Sequence, residues 1–261
     1  MNLLQAQGYP VRIGSRSGDP AFDWHDPSTW RELIDGASAI YISYHPDLAS
    51  PGAPEAIQRL IDISHECKVR KLVLLSGRGE EEAQRCEAHV MNSEIPSTVV
   101  RCAWFNQNFD ESFLQGMVVS GKISLPVKHI REPFVDVDDI AEVAVSALTQ
   151  PGHEGEIYEL TGPELLSFPE VAAQLSTVLG REIYFQSIPR SEFLSNLQIT
   201  GLPKEFTNLL DYLFTVVLDG RNEFLGDGVQ RALGRPPRPF VAYAKQTAEA
   251  GHWNTDPNAT E

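Results

Sequence analysis

Two arginines and a serine lie close together near the amino terminus, in the segment RIGSRSG: Arg12, Ser15 and Arg16. A guanidinium group binds phosphate oxygens through paired hydrogen bonds. At the end of the second strand of a dinucleotide-binding fold, an acidic residue holds the ribose 2′-hydroxyl of NAD, whereas an arginine accommodates the 2′-phosphate of NADP. These residues therefore favour NADP as the cofactor; the alternative is that both arginines are solvated surface residues.

Polar and aromatic candidates for the reaction itself follow two predicted strands. Ser76 ends the apolar run KLVLLSG, and Glu87 lies on the next predicted helix, so both are candidate catalytic residues. A helix cap for the serine and a solvated position for the glutamate are the alternatives. Four candidates for substrate binding follow the strand that ends near Cys102: Trp104, Phe105, Asn106 and Phe109. The alternative is that they only pack in the protein interior.

The rest of the sequence contains no pattern typical of a metal site or of a phosphate-binding loop. No spacing of cysteine and histidine resembles a metal site, so we expect no metal. Gly77 and Gly79 precede three glutamates, which would repel a phosphate. The cofactor prediction therefore depends on the amino-terminal arginines.

Strand-like and helix-like segments alternate along the chain in units of about 20 to 30 residues. This order is typical of an α/β fold, a Rossmann-like doubly wound parallel sheet, here with its first strand absent and with a smaller C-terminal helical substrate lobe. We assign residues 1–155 to the dinucleotide-binding core, with 122–150 contributing to it, and residues 156–261 to the lobe. Ligands of such sheets bind at the carboxyl ends of the strands.

The amino-terminal segment is predicted to form a helix and then the second strand of this fold. The helix ends at Gly8, and a strand is predicted over residues 9–14. The glycine-rich loop that binds pyrophosphate normally precedes such a helix, and it is not in this sequence. We therefore expect Met1 to be an internal position of a longer protein. Farther along, Ser167 and Gly180 are the predicted start and stop of another helix.

Composition excludes several classes of protein. The chain has 261 residues, with 21 Lys and Arg against 36 Asp and Glu, for a formal charge of −15. Such a charge argues against a nucleic-acid partner, because affinity for nucleic acid comes from clustered basic residues. No apolar stretch approaches a membrane span, and the three cysteines are typical of reduced thiols. We expect a cytoplasmic protein with a small-molecule substrate and no membrane partner.

Several segments in this order resemble the NmrA-like atypical short-chain dehydrogenases, and most of all their festuclavine dehydrogenase branch from ergot alkaloid biosynthesis. They include FDWHDPSTW, KLVLLSGRG, VVRCAWFNQNF and DGVQRALGRPPRPF. The resemblance implies an NADP-dependent oxidoreductase that reduces an imine, iminium or carbonyl group in specialised metabolism. By position it implies that Arg16, with Arg12 and Ser15, binds the 2′-phosphate. It further implies that the cofactor is bordered by Asp23 and Trp24 at the adenine, Ser43 and Tyr44 in the groove, and Ser76 and Gly77 at the nicotinamide.

One part of the usual catalytic machinery is missing from the chain. Ordinary short-chain dehydrogenases donate a proton from a Tyr-x-x-x-Lys pair. Here no tyrosine lies between Tyr44 and Tyr158, and no lysine between Lys71 and Lys122. This absence fits hydride delivery to a cationic iminium, which needs no proton. Two alternatives to a reductase stay open: a cofactor-free isomerase, cyclase or ligand-binding protein, and an NmrA-type dinucleotide-sensing regulator. Aromatic residues after position 200 are compatible with an aromatic or polycyclic substrate.

Overall fold

The computed structural model describes residues 1–127 and 129–254 and divides the chain into two compact units. Unit 1 consists of Met1–Cys102, Asp138–Leu160 and Gly226–Arg235, and unit 2 consists of Ala103–Val137, Thr161–Leu225 and Pro236–Glu261. The strands are β1 (Ile40–Ile42), β2 (Leu72–Gly77), β3 (Ser97–Cys102), β4 (Lys122–Leu125), β5 (Arg131–Glu132), β6 (Ile157–Leu160), β7 (Leu166–Ser167) and β8 (Tyr184–Ser187).

Twelve α-helices are described, together with a short 3₁₀-helix (Pro27–Thr29) and a π-helical turn (Leu213–Val217). They are α1 (Asn2–Ala6), α2 (Trp30–Ile34), α3 (Ala53–Glu66), α4 (Glu81–Met91), α5 (Asn108–Glu111), α6 (Phe113–Ser120), α7 (Val137–Thr149), α8 (Phe168–Leu179), α9 (Arg190–Ile199), α10 (Lys204–Tyr212), α11 (Gly228–Leu233) and α12 (Phe240–Glu249).

Unit 1 is built on a four-stranded parallel sheet with the order β1-β2-β3-β6. In β2, the side chains of Leu72, Val73 and Leu74 are all fully buried, as the continuous apolar run predicts for a strand covered on both faces. Helices α3 and α4 pack together and contribute Ile57, Leu60 and Val90 to the same core as Leu72 and Leu74. The predicted Rossmann-like parallel α/β fold is confirmed.

The predicted strand over residues 9–14 is wrong, because these residues form no strand. A strand needs the backbone groups of a neighbour to pair with, and no described strand lies beside this segment. Tyr9 and Ile13 are 45% and 56% exposed. The helix before it ends as predicted, since Gly8 follows α1 with a left-handed φ of 81°.

Unit 1 also takes in a short segment that follows much later in the chain. Helix α11 packs on β6. A Cβ on Gly226 or Gly228 would lie 2.4 or 2.5 Å from the carbonyl oxygen of Glu159, so only glycine allows this close approach of the two backbones.

Unit 2 is mainly helical around an aromatic core. Phe109, Phe168 and Phe240 are fully or almost fully buried, and the rings of Phe109 and Phe240 meet edge to face at 5.5 Å. Two small two-stranded sheets border this core, a parallel pair of β4 and β8 and an antiparallel pair of β5 and β7. Helix α8 begins and ends as predicted, with Ser167 as its N-cap and Gly180 in the left-handed conformation at its end.

Candidate functional site

The amino-terminal arginines differ in what they contact. Arg12 donates a hydrogen bond of 2.7 Å to the backbone carbonyl of Asp35. Arg16 is exposed and forms no hydrogen bond or ion pair with any described residue. The carbonyl of Ser15, next to it, accepts hydrogen bonds from Gly18 and Phe22 and so fixes the turn that presents Arg16. The guanidinium of Arg16 is therefore available to an anion.

Aromatic side chains gather beside this turn. The ring of Trp24 lies 4.9 Å from that of Phe22 and 4.8 Å from that of Tyr44. The buried Trp30 donates from its indole nitrogen to the carbonyl of Asp23 at 2.6 Å, which holds the Asp23–Trp24 segment in place. Ser43 is exposed directly after β1. Thus Trp24 and Tyr44, which the resemblance places at the cofactor, do lie together.

The two candidate catalytic residues, Ser76 and Glu87, are in direct contact and form part of a buried network. The Ser76 hydroxyl donates to Glu87 Oε1 at 2.6 Å. Arg101 donates to the same oxygen from Nε at 2.9 Å and to Glu87 Oε2 from Nη2. It also donates from Nη1 to Glu159 at 2.9 Å. The Glu87 carboxylate is thus fully engaged in tying α4 to β2 and β3, an arrangement that stabilises unit 1.

A second pair of acidic residues, which the sequence analysis missed, lies at the carboxyl ends of β1 and β2. The carboxyl group of Glu80 is buried against Gly77, where a Cβ would stand 2.2 Å from its Oε1. It forms a hydrogen bond with the carboxyl group of Asp47, whose Oδ1 accepts from the Ala49 N–H at 2.8 Å. Burial and the neighbouring Asp47 carboxylate raise the pKa of Glu80 to about 9. Burial raises the pKa of Asp47 as well, so the two coupled carboxyl groups favour sharing a proton.

The candidate substrate residues lie in unit 2 and differ in burial. Trp104 is half-buried, with its ring 4.7 Å from that of Phe214. Phe105 is partly buried and pairs through its backbone with Val135. Asn106 is completely buried: its Nδ2 donates to Asp136 at 3.5 Å, and its Oδ1 has no partner among the described residues.

Phe109, in contrast, belongs to the core of unit 2 and is completely buried. Its ring packs against those of Phe134 and Phe240 at 5.5 Å each. The structure therefore places Trp104, but not Phe109, where a ring could contact a small molecule.

The described residues include groups whose chemistry suits one end of a dinucleotide. The free Arg16 guanidinium suits a 2′-phosphate, and Trp24 and Tyr44 suit an aromatic base. The close approach at Gly77 is taken by the Glu80 carboxyl group. These three side chains thus fit the adenosine end of NADP. Among residues 1–127 and 129–254, the structure forms no glycine-rich loop that could bind the pyrophosphate.

Neither a metal site nor a membrane span is found in the part of the chain that the structure describes. There, no group of three or more His, Cys, Asp or Glu side chains could hold a metal ion. No helix among these residues is long and apolar enough to cross a membrane.

Comparison with known proteins identifies the family. The NmrA-like family matches residues 82–230, which is more than half of the chain. The chain belongs to the NmrA-like family. Within this family it is 31% identical to an agroclavine dehydrogenase of Claviceps fusiformis, over 93% of this chain and 90% of the relative. It is 30% identical to a festuclavine dehydrogenase of Aspergillus fumigatus, over 96% of this chain and 93% of the relative.

A solved structure from Escherichia coli is similar to this NmrA-like chain. It is an NADPH-dependent quinone oxidoreductase complexed with NADPH, with a TM-score of 0.76 and 19% identity over 95% of this chain and 86% of that one. This similarity shows the fold. The resemblance to the festuclavine dehydrogenase branch is confirmed, and the curated relatives that the chain matches include proteins named as dehydrogenases and an NAD(P)H azoreductase.

Proposed function

We propose that the chain is an NADP-dependent oxidoreductase that reduces an imine, iminium or carbonyl group of a small aromatic or polycyclic molecule in specialised metabolism. The observation that carries this proposal is the exposed guanidinium of Arg16, which has no partner among the described residues. A chain with a formal charge of −15 presents this cation beside aromatic rings that could cover an adenine. The dehydrogenase relatives support the reaction class.

The contacts support a binding role for each of three residues. Arg16 would hold the 2′-phosphate, and Trp24 with Tyr44 would border the adenine. When bound, the reduced nicotinamide supplies the hydride. The half-buried Trp104 supports an aromatic substrate, because it offers a ring surface that its packing against Phe214 does not cover completely.

Replacing Arg16 with alanine tests the proposal. Arg16→Ala should weaken NADPH binding by about tenfold to a hundredfold, because a hydrogen bond to a charged group contributes about 1.5–3 kcal/mol. NADH binding should stay the same, since NADH has no 2′-phosphate. Both affinities are measured by quenching of tryptophan fluorescence.

Arg70→Ala is the matched control, because Arg70 is another exposed arginine of unit 1 but lies before the amino end of β2, at the opposite edge of the sheet. It should change neither affinity. Equal losses for NADPH and NADH in Arg16→Ala would remove Arg16 from the phosphate role. A chain that binds no NADPH would contradict the proposed function itself.

A further inference from the structure

The hydrogen-bonded carboxyl groups of Asp47 and Glu80 lie where an α/β sheet binds its ligands. Strands β1 and β2 are parallel neighbours, with Ile42 opposite Leu74. Asp47 follows the carboxyl end of β1 and Glu80 follows that of β2. The carboxyl edge of a parallel sheet is the place where α/β proteins bind substrates and cofactors. Glu80 contacts Gly77, one of the residues that the family resemblance places at the nicotinamide.

The surroundings of Glu80 favour its protonated form. The side chain is only 7% exposed. Two carboxyl groups act on it, Asp47 from the segment after β1 and Glu87 from α4. At the end of β3, the buried Cys102 has a raised pKa and stays a neutral thiol. The nearby cation, Arg78, lies 3.7 Å from Glu159.

Neither the usual proton donor of short-chain dehydrogenases nor Ser76 serves here. The Tyr-x-x-x-Lys pair is missing from the sequence, and the hydroxyl of Ser76 is bonded to the Glu87 carboxylate. Buried carboxyl groups that share a proton cost stability, because one of them must give up its charge. Such a pair at a ligand-binding edge is typical of acid–base sites.

We propose that Glu80 is the proton donor of the reduction, and that Asp47 orients its carboxyl group and holds the proton on it. The proposal rests on the proposed function, because the hydride comes from the reduced nicotinamide. The hydride adds to the carbon of a ketone C=O or neutral C=N bond, or to one carbonyl oxygen of a quinone. The displaced electron pair moves to the oxygen or nitrogen at the other end of the bond or conjugated system. That atom takes the proton of Glu80, and the resulting carboxylate regains a proton from water before the next turnover.

This step narrows the substrate class. A carbonyl, a quinone or a neutral imine accepts a hydride and a proton, and so depends on Glu80. A preformed iminium cation becomes a neutral amine on accepting the hydride alone, and does not depend on Glu80. We therefore assign carbonyl compounds, quinones and neutral imines as the substrates whose reduction uses the Asp47–Glu80 pair. The sequence alone favours hydride delivery to an iminium cation, which needs no proton.

The experiment compares two acceptors, a benzoquinone and an N-methylated cyclic iminium salt, in three variants. In Glu80→Gln the amide still donates to Asp47 but carries no acidic proton. Quinone reduction should fall by about a hundredfold, as for loss of a general acid, and iminium reduction should stay within about twofold. Glu81→Gln, at the exposed first residue of α4, is the matched control and should change neither rate.

Asp47→Asn tests the holding role. Removing the negative charge makes Glu80 easier to ionise, so the alkaline limb of the kcat profile for quinone should move to lower pH by about one unit or more. A purely structural Asp47 would lower the rate without moving this limb. An unmoved limb therefore overturns the role of Asp47.

A readout without cofactor or substrate follows the proton directly. The infrared spectrum of the chain alone should contain the carbonyl band of a protonated carboxyl group at about pH 8, well above the ordinary range of glutamate. The band should disappear in Glu80→Gln and persist in Glu81→Gln. Its absence from the wild type overturns the proposal. A Glu80→Gln variant that binds NADPH and reduces quinone at the wild-type rate would also overturn the proposal. A wild-type chain that binds no NADPH would instead overturn the proposed function.

Discussion

Arg101 connects two acidic side chains across the sheet of unit 1. It bonds to Glu87 on α4 and to Glu159 on β6, and the hydrogen bonds and charge of Glu87 raise the pKa of the guanidinium further. The Glu87 side chain is only 4% exposed, so the guanidinium of Arg101 replaces most of the water around its carboxylate. Removing one member of a buried ion pair is costly because it leaves an uncompensated charge.

We expect Arg101→Met to lower the free energy of unfolding by about 3–5 kcal/mol, because it leaves the buried Glu87 carboxylate without its cation. Urea denaturation measures the loss. Arg85→Met is the control: Arg85 pairs with Glu82 on the exposed face of the same helix, and its loss should cost about 1 kcal/mol or less. Equal losses in both variants would mean that the buried pair contributes no more than a surface one.

The sequence predicts single candidate residues better than it predicts the side chains to which they bond. Ser76 and Glu87 were both singled out, yet Arg101, which bonds to Glu87, was not, because no motif links side chains on different elements. Asp47 and Glu80 were missed for the same reason, being 33 positions apart. Each follows the end of a predicted strand, so a search for acidic residues at neighbouring strand ends could have found them.

The elements were predicted well where the signal is local. Ser167 and Glu170 form a capping box at the start of α8, and these bonds need only residues three positions apart. The segment 9–14 has strand-like residues, but a strand depends on a neighbour from elsewhere in the chain. The parallel sheet itself was predictable, because a continuous apolar strand such as β2 is typical of a sheet that helices cover on both faces.

Ser167→Ala tests the contribution of the capping box. It should lower the free energy of unfolding by about 1 kcal/mol at neutral pH. The bonds from Ser167 lower the pKa of Glu170. Their contribution is therefore complete above the ordinary range of a glutamate and is lost as the pH falls through the lowered pKa, so the difference between variant and wild type should shrink in acid.

Thermal unfolding over a series of pH values measures this difference. Ser191→Ala, an exposed serine in the first turn of α9 that does not cap it, should have little effect at any pH. A loss for Ser167→Ala that is independent of pH would separate the cap from the ionisation of Glu170.

The whole molecule carries far more acidic than basic groups, with a formal charge of −15. Repulsion among these charges destabilises a compact state, and salt screens it. The melting temperature should therefore rise by about 2–4 °C between about 20 and 300 mM sodium chloride, which corresponds to roughly 1 kcal/mol. Potassium chloride should give the same rise. A melting temperature that falls with salt would mean that ion pairs outweigh the repulsion.

The interleaving of the two units has a consequence for synthesis on the ribosome. The parallel sheet receives β6 only after residues 103–137 of unit 2 have been made, and receives α11 after residues 161–225. Until then the backbone of Glu159, against which Gly226 and Gly228 pack, is uncovered on the nascent chain. Unit 1 is thus completed late, and a release of the chain before residue 226 would leave β6 open to pairing with other chains.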